Sequence, residues 1–184
     1  MRSAVLMGLV AVAFSATGLP QGRRSSPADS QELRHLMDED QADRQSNQIK
    51  WAEVLPRDRA RLSRVKSLYA SGAIRTAEDY YHAALVLQHS EVAEDFLLAH
   101  EFGVAAMMLG KNDIESGSLG AAAEDRFLMN IGRPQRFGTQ YRSEGQGPLR
   151  LYQVADGVSD ELRKVMAVPS LTEARAHEAE FNRR

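Results

Sequence analysis

The feature that most constrains the fold is an almost unbroken apolar segment in the middle of the chain. Residues 96–109 read FLLAHEFGVAAMML, and the polar side chains among them are the adjacent His100 and Glu101. A helix of this composition is apolar on every face and is typical of a protein interior. Because burying a histidine and a glutamate without partners is unfavourable, the rest of the fold is expected to supply hydrogen-bonding or charged groups. The sequence therefore predicts a polar cluster inside a helical core.

Helix signals recur along residues 30–184, which we interpret as a single domain. The caps and stops are Pro56 at a first helical position, Gly72 and Gly132 after helices, Ser90 and Ser118 at helix starts, and the box-like pairs Thr76 with Asp79 and Ser170 with Glu173. The predicted helices cover residues 30–54, 56–71, 76–89, 90–109 and 118–131, and two short ones start at Ser159 and Ser170. Residues 135–149, rich in Gly and Gln, lack helical periodicity and are predicted to form an irregular loop, either ordered or mobile, and residues 149–154 are either a short strand or an extended segment. This pattern predicts an all-α protein, as an antiparallel helical bundle or a short repeat-like helical stack.

The N-terminus has the order of a secretory signal peptide. Arg2 precedes an apolar run at residues 4–14, which the small residues 15–18 follow. A span of the bilayer needs about 20 apolar residues, so this run is too short to be one. The alternative is a hydrophobic helix that stays on the protein. We predict a signal peptide over residues 1–18, a flexible lead-in over residues 19–29, export to a periplasm or beyond, and no stable membrane span once the signal is removed.

Composition excludes several classes of function. The formal net charge of -2 gives no general attraction to nucleic acid, so no nucleic-acid partner is predicted. Basic clusters at residues 57–66 and 133–142 are either local contact patches or, as is usual for charged helices, solvated faces. The chain contains no cysteine, which excludes disulfides, thiol catalysis and cysteine-ligated zinc.

Known catalytic and metal-binding motifs fail on spacing. Val104 stands where the second histidine of a His-Glu-x-x-His zinc signature would be, and His82 and His89 are two helical turns apart. The acidic residues 38–43 lack the glycine of a calcium loop and are interpreted as a solvated face. No nucleophile elbow, phosphate loop or dinucleotide fingerprint occurs. We predict no metal and no cofactor, while a Ser-His-Asp site with scattered members stays open.

Candidate site residues are the polar groups on apolar helix faces. Glu124, Asp125 and Arg126 lie among Ala, Leu, Phe and Met in the fifth predicted helix, so at least one of their charges must face the interior. If that helix and residues 90–109 pair about a loop at 110–118, His100 and Asp125 differ by about one turn in height and can meet. The catalytic candidates are His89, His100, Glu101, Asp125 and Arg126, and the ligand-binding candidates are Gln88, Gln135, Thr139 and Gln140.

The order of these polar blocks resembles an uncharacterised bacterial family of unknown function. The chain has Gln88-His89, Asp125-Arg126, the block Pro134-Gln135-Arg136-Phe137-Gly138-Thr139-Gln140 and a late Asp156 ahead of Arg163. Members of the family similarly show Gln-His, Asp-Arg, Pro-Gln-x-aromatic-Gly-Thr-Gln and a late Asp followed by Arg. The likeness spans roughly residues 32–175, and the Gly-Thr-Gln block is its most specific part. It implies no activity or cofactor and does not include His100-Glu101.

Two classes of function remain. The first is a binding or scaffold protein for a small molecule or another protein, in which the polar cluster fixes the geometry of a groove. The second is a hydrolase or lyase, with His89 or His100 as general base, Asp125 or Glu101 orienting it, and Arg126 or Gln140 binding an anionic or amide group. The enzyme hypothesis fails if Gln88, His89, Asp125, Arg126 and Gln140 do not line one pocket that solvent reaches.

Overall fold

The computed structural model describes residues 27–45, 48–111, 113–145 and 147–183, and the predicted signal peptide lies outside these residues. The described chain is mostly helical, which confirms the predicted all-α class. Its helices are α1 (Gln31–Ala42), α2 (Trp51–Ala70), α3 (Ala77–Leu87), α4 (Ala93–Met108), α5 (Ile114–Asn130), α6 (Asp160–Val165) and α7 (Leu171–Phe181), and its strands are β1 (Tyr141–Arg142) and β2 (Arg150–Leu151). Among the described helices, none combines the length and apolarity that a bilayer span requires.

Several predicted helix ends are confirmed by their capping contacts. The Thr76 hydroxyl accepts from the Asp79 amide at 3.0 Å, and the Asp79 carboxylate accepts from the Thr76 amide at 3.2 Å. Ser170 and Glu173 form the same reciprocal box at the start of α7. Gly72 and Gly132, with φ of 69° and 72°, follow α2 and α5 in the left-handed conformation that ends helices.

The predicted helix over residues 30–54 is wrong, because the chain breaks between α1 and α2. Pro56 lies inside α2 and not at its first position. The break leads Arg44 back to Asp40 at 3.0 Å and across to Asp58 at 2.7 Å, so an ion pair between the two helices accompanies it. No Gly or Pro marks this turn, so the sequence pattern predicted one continuous helix across it.

Two predicted helix starts are also wrong. α5 begins at Ile114 with Asp113 as its cap, whereas Ser118 lies inside the helix. Val92, not Ser90, precedes α4; the Ser90 hydroxyl accepts from the Val92 amide at 3.1 Å and donates to Asp95 at 2.7 Å. In both places an aspartate within a few residues binds the free backbone or side-chain donors at the helix start.

The main core forms where α3, α4 and α5 pack on one another, with α1 and α2 against α3. Phe102 of α4 is buried between the rings of Tyr69 and Tyr80, at centroid distances of 5.0 and 5.2 Å. The prediction that α4 is buried on every face is wrong: Leu97, Met108 and Leu109 are exposed. Its neighbours α3 and α5 leave one side of it to solvent.

A smaller second core joins the C-terminal segment to α5. Phe137 and Val168 pack on Ala121 of α5. β1 and β2 are antiparallel, with Tyr141 opposite Leu151, and a parallel bridge links Gln135 to Val154. The predicted irregular loop is thus an ordered segment fixed against α5, and it carries the block 134–140 to the side of the helix that holds Asp125.

Candidate functional site

The Asp125 carboxylate is the centre around which residues 135–140 are ordered. Asp125 is fully buried. It accepts from the backbone amides of Arg136 at 2.7 Å, Phe137 at 2.9 Å and Thr139 at 3.0 Å, and from the Thr139 hydroxyl at 2.8 Å. It forms no ion pair within the described residues. Hydrogen bonds from the loop offset the cost of its burial, because a buried polar group is unfavourable chiefly when its hydrogen bonds are left unmade.

Gln135 and Thr139, two predicted ligand-binding candidates, are engaged within this loop. The buried Gln135 side chain donates to the carbonyls of Gln140 at 2.9 Å and Tyr152 at 2.8 Å, and accepts from the Gln140 amide at 2.8 Å. Thr139 binds Asp125 and also accepts from the Gln140 side chain at 2.9 Å. Their hydrogen-bonding atoms therefore hold the loop in place.

Arg163 completes the support of the loop from α6. Its guanidinium donates to the carbonyls of Phe137 at 3.2 Å and Arg136 at 3.1 Å, and also to that of Val158. The sequence pointed to Arg163 through its place after Asp156, but gave no role for it. The structure places Arg163 in the second core, where it is buried and binds backbone oxygens.

Arg126, the next residue along α5, faces a different environment. Its Nε donates to the Gln140 side-chain oxygen at 3.1 Å and its Nη1 donates to the Gln88 carbonyl. Both acceptors are neutral, and Arg126 forms no ion pair within the described chain. Burial lowers the pKa of Arg126, and the positive charge of Arg44 lowers it further. Arg126 is thus a largely desolvated cation that no carboxylate compensates.

A cavity of about 460 Å³ opens over Arg126, between α2, the α3–α4 connection and the end of α5. Its polar lining brings together four of the sequence candidates, which are Gln88, His89, Arg126 and Gln140. Its apolar lining comes from Trp51, Leu55, Phe96 and Met129. The fifth candidate, Asp125, does not line this cavity and acts one layer behind it, through the loop that carries Gln140.

An ion network forms the α1–α2 side of the cavity. Arg44 binds Asp40 and Asp58, Arg61 binds Asp58 at 2.6 Å and Asp43 at 2.8 Å, and Arg57 binds Asp43 at 2.8 Å. Burial raises the pKa of Asp58, but the hydrogen bonds from Arg44 and Arg61 outweigh it and hold the pKa below its ordinary value. In this network three carboxylates meet three guanidiniums, so it supplies no surplus negative charge for Arg126.

His89 is oriented by Asp40, which sequence reasoning missed. His89 Nδ1 lies 2.9 Å from an Asp40 carboxylate oxygen. Asp40 is only 1% exposed, so the interpretation of residues 38–43 as a solvated face is wrong at this position. The helical period did carry the signal, since Asp40 follows Leu33, Leu36 and Met37 on the apolar face of α1. Neither Asp125 nor Glu101, the acids predicted to orient a histidine, contacts His89 in the described chain.

His100 and Glu101 lie away from the cavity. The ring of His100 bonds the Gly120 carbonyl at 2.9 Å, and Glu101 is exposed. The expected contact between His100 and Asp125 does not form, because α5 begins four residues earlier than predicted and His100 faces Gly120 instead. The polar groups of the interior therefore gather at two places, around Asp125 and around Arg126 with His89, and not at the apolar segment that suggested a polar cluster.

Comparison of the chain with protein-family models, with curated protein sequences and with solved structures finds no match. Among the described residues, no group of His, Asp and Glu side chains is arranged to hold a metal ion. The cavity and its charges are therefore the features of the molecule from which a function can be inferred.

Proposed function

We propose that this chain is a binding protein whose cavity takes a small organic anion, with Arg126 as the group that fixes the anion. The observation that carries the proposal is the uncompensated charge of Arg126. A cation removed from water without a counter-charge is unfavourable, and a bound anion relieves that cost. The site is therefore expected to bind ligands of negative charge.

The hydrogen-bonding state of the guanidinium supports the same conclusion. Nε and Nη1 of Arg126 are occupied, whereas Nη2 has no hydrogen bond to the described residues. Among the described residues, the fully buried side-chain atoms without partners belong to Arg61, His82 and Ser116, so Nη2 of Arg126 keeps some solvent access, and Arg126 lines the cavity. A free guanidinium nitrogen with a fixed direction suits a carboxylate or phosphate oxygen.

The remaining walls favour an organic ligand over a bare inorganic ion. Trp51, Leu55, Phe96 and Met129 provide apolar contact area, and the volume of about 460 Å³ lies within the range of small-molecule sites. Gln88, Asn130 and Gln140 add neutral polar groups, and the ion pair of Arg44 with Asp58 and the carboxylate of Glu91 also line the cavity. Such a lining fits a small acid that carries an apolar or aromatic body.

Trp51 makes the proposal directly testable, because it is the single tryptophan of the chain and lines this cavity. The probes are 3-phenylpropionate, phenyl phosphate and the uncharged 3-phenylpropan-1-ol, titrated against tryptophan fluorescence of the full chain. We expect saturable changes with one or both anions and none with the alcohol. The carboxylate and phosphate arms tell which oxyanion the site prefers.

Arg126→Gln is the decisive variant, with Arg133→Gln as its matched control. Arg133 is an exposed arginine close by in sequence that does not line the cavity. We expect Arg126→Gln to weaken anion binding at least tenfold, since truncating one member of a desolvated charge pair costs about 2 kcal/mol or more. Arg133→Gln should bind as the wild type does. Equal affinities for all three proteins, or no anion binding by the wild type, would contradict the proposed function.

We further propose that the protein is exported, as the sequence of residues 1–18 suggests. Cleavage would leave a mature protein that begins near Ala16 or Leu19. N-terminal sequencing of the protein from periplasmic or culture fractions checks this. An intact Met1 on soluble cytoplasmic protein would contradict it.

A further inference from the structure

His89 places a second condition on the ligand. Its Nδ1 lies 2.9 and 3.1 Å from the two carboxylate oxygens of Asp40. A carboxylate only accepts hydrogen bonds, so the hydrogen of the neutral ring is on Nδ1 and the lone pair is on Nε2. Nε2 has no hydrogen bond to the described residues and is not among the fully buried atoms without a partner. It is therefore a solvent-accessible acceptor on a residue that lines this cavity and the adjoining depression beside Lys66.

Asp40 holds this arrangement rigidly. Its carboxylate also accepts from Arg44 Nη1 at 3.0 Å and from the Gln41 side chain at 2.9 Å, and Asp40 is almost completely buried. The imidazole is thus fixed in its tautomer and its direction before any ligand arrives. Preorganised groups of this kind gain affinity because little freedom is lost on binding.

His89 and Arg126 act on neighbouring parts of the same space. Arg126 Nη1 donates to the carbonyl of Gln88, the residue directly before His89, and both side chains line the cavity. A ligand held by Arg126 therefore lies in the cavity that His89 also lines, where His89 Nε2 can meet the atoms next to the anionic group. That position requires a donor, because Nε2 of the neutral ring can only accept.

We infer that the ligand is a hydroxy acid, in which Arg126 binds the anionic group and His89 Nε2 accepts a hydrogen bond from a hydroxyl next to it. This inference rests on the proposed anion site. A hydroxyl is favoured over an ammonium group because the charge of Arg126, which no ion pair compensates among the described residues, lies at the same cavity, and like charges close together destabilise the complex.

The test compares two acids that differ by one hydroxyl, 3-phenyllactate and 3-phenylpropionate, by Trp51 fluorescence in one buffer at one pH. We expect the wild type to bind 3-phenyllactate roughly 2- to 12-fold more tightly, which corresponds to one neutral hydrogen bond. His89→Asn keeps a donor toward Asp40 and removes the Nε2 acceptor. It should bind the two acids equally.

His35→Asn is the control, since His35 lies on the exposed side of α1 with a side chain that is 72% exposed, and it should retain the wild-type preference. Wild-type protein that binds 3-phenylpropionate through Arg126 but shows no preference for 3-phenyllactate would overturn the inference and leave the anion site standing. So would a His89→Asn variant that loses affinity for both acids equally, because that result assigns His89 a purely structural role. No binding of either acid would overturn the anion site and this inference together.

Discussion

Asp125 and Arg126 are neighbours in sequence, and both bring a charge into the protein, yet their surroundings differ. Asp125 is met by four donors from residues 136–139, so its hydrogen-bonding capacity is used and solvent does not reach it. Arg126 is met by two neutral oxygens, and one of its nitrogens remains open to the cavity. The first charge orders a loop, whereas the second is available to a ligand.

Burial alone therefore does not separate structural charges from charges that a ligand can use. The deciding quantity is how much of the group's charge and hydrogen-bonding capacity the protein itself satisfies. A carboxylate whose hydrogen bonds are all made stabilises the fold and has no hydrogen-bonding capacity left for a ligand. A cation whose hydrogen bonds are only partly made keeps donors for a ligand, and the fold should tolerate its removal.

The largest effect is expected for Asp125→Asn. The substituted amide has one acceptor oxygen in place of two, and its NH₂ group faces donors that need an acceptor. We expect the free energy of unfolding to fall by about 3–5 kcal/mol, the range seen when one partner of a buried charged network is removed. Urea denaturation of the purified proteins measures this.

Asp156→Asn is the matched control for that substitution, because Asp156 is an exposed aspartate of the same C-terminal region. Its unfolding midpoint should equal that of the wild type. An unchanged midpoint for Asp125→Asn would mean that the loop does not depend on the carboxylate, and the contrast between Asp125 and Arg126 would disappear.

The next effect concerns the crossing of α4 and α5, which positions both residues. A Cβ added at Gly103 would lie 3.1 Å from the Gly120 Cα, whereas one added at Gly120 would have nothing within 4 Å. We expect Gly103→Ala to destabilise by about 1–3 kcal/mol, because the helices must move apart. Gly120→Ala should stabilise by about 0.5–1 kcal/mol through helix propensity. Equal effects in thermal melting would show that the close approach is not needed.

His82 is also buried and lacks a hydrogen-bond partner at one nitrogen, but unlike Arg126 it is neutral. Its Nδ1 has no partner in the described chain, and burial lowers its pKa below 6.5 although Glu78 opposes this. The unfolded chain thus takes up a proton before the folded one does. The contribution of His82 to stability is complete above about pH 6.5 and is lost as the pH falls toward the lowered pKa. His82→Leu should reduce this slope in denaturation curves, and His35→Leu should leave it unchanged.

The smallest effect on stability is expected for Arg126→Gln. The substitution removes two hydrogen bonds but also an uncompensated charge, and these changes oppose each other. We expect the free energy of unfolding to stay within about 1 kcal/mol of the wild type. A loss as large as that of Asp125→Asn would place Arg126 among the structural charges.

Local signals in the sequence were sufficient for much of this fold but not for the site's geometry. The boxes at Thr76 and Ser170 and the glycines after α2 and α5 involve residues a few positions apart, so a linear pattern contains them. Which of Asp125 and Arg126 faces which partner depends on backbone amides and carbonyls from distant segments, and every residue carries these groups. The sequence thus named four of the cavity residues, but not the amide cradle of Asp125.

Asp40 and Trp51 illustrate the other limit. Asp40 fits the apolar period of α1, so its burial could have been inferred. Its partner His89, however, lies in the distant connection between α3 and α4. The sequence predicted Trp51 to lie in the same helix as α1. The break between α1 and α2 is what brings it to the cavity. Long-range pairing of this kind is decided by packing of the whole chain.

The most direct test of the central claim is the thermal stability of wild type and Arg126→Gln with and without 3-phenylpropionate. A ligand that binds only the folded state raises the melting temperature in proportion to the logarithm of its concentration. We expect a concentration-dependent rise for the wild type and for Arg133→Gln, and a rise for Arg126→Gln only at ligand concentrations at least tenfold higher. The same rise in all three proteins, or none in the wild type, would contradict the claim that Arg126 is the anion-binding group.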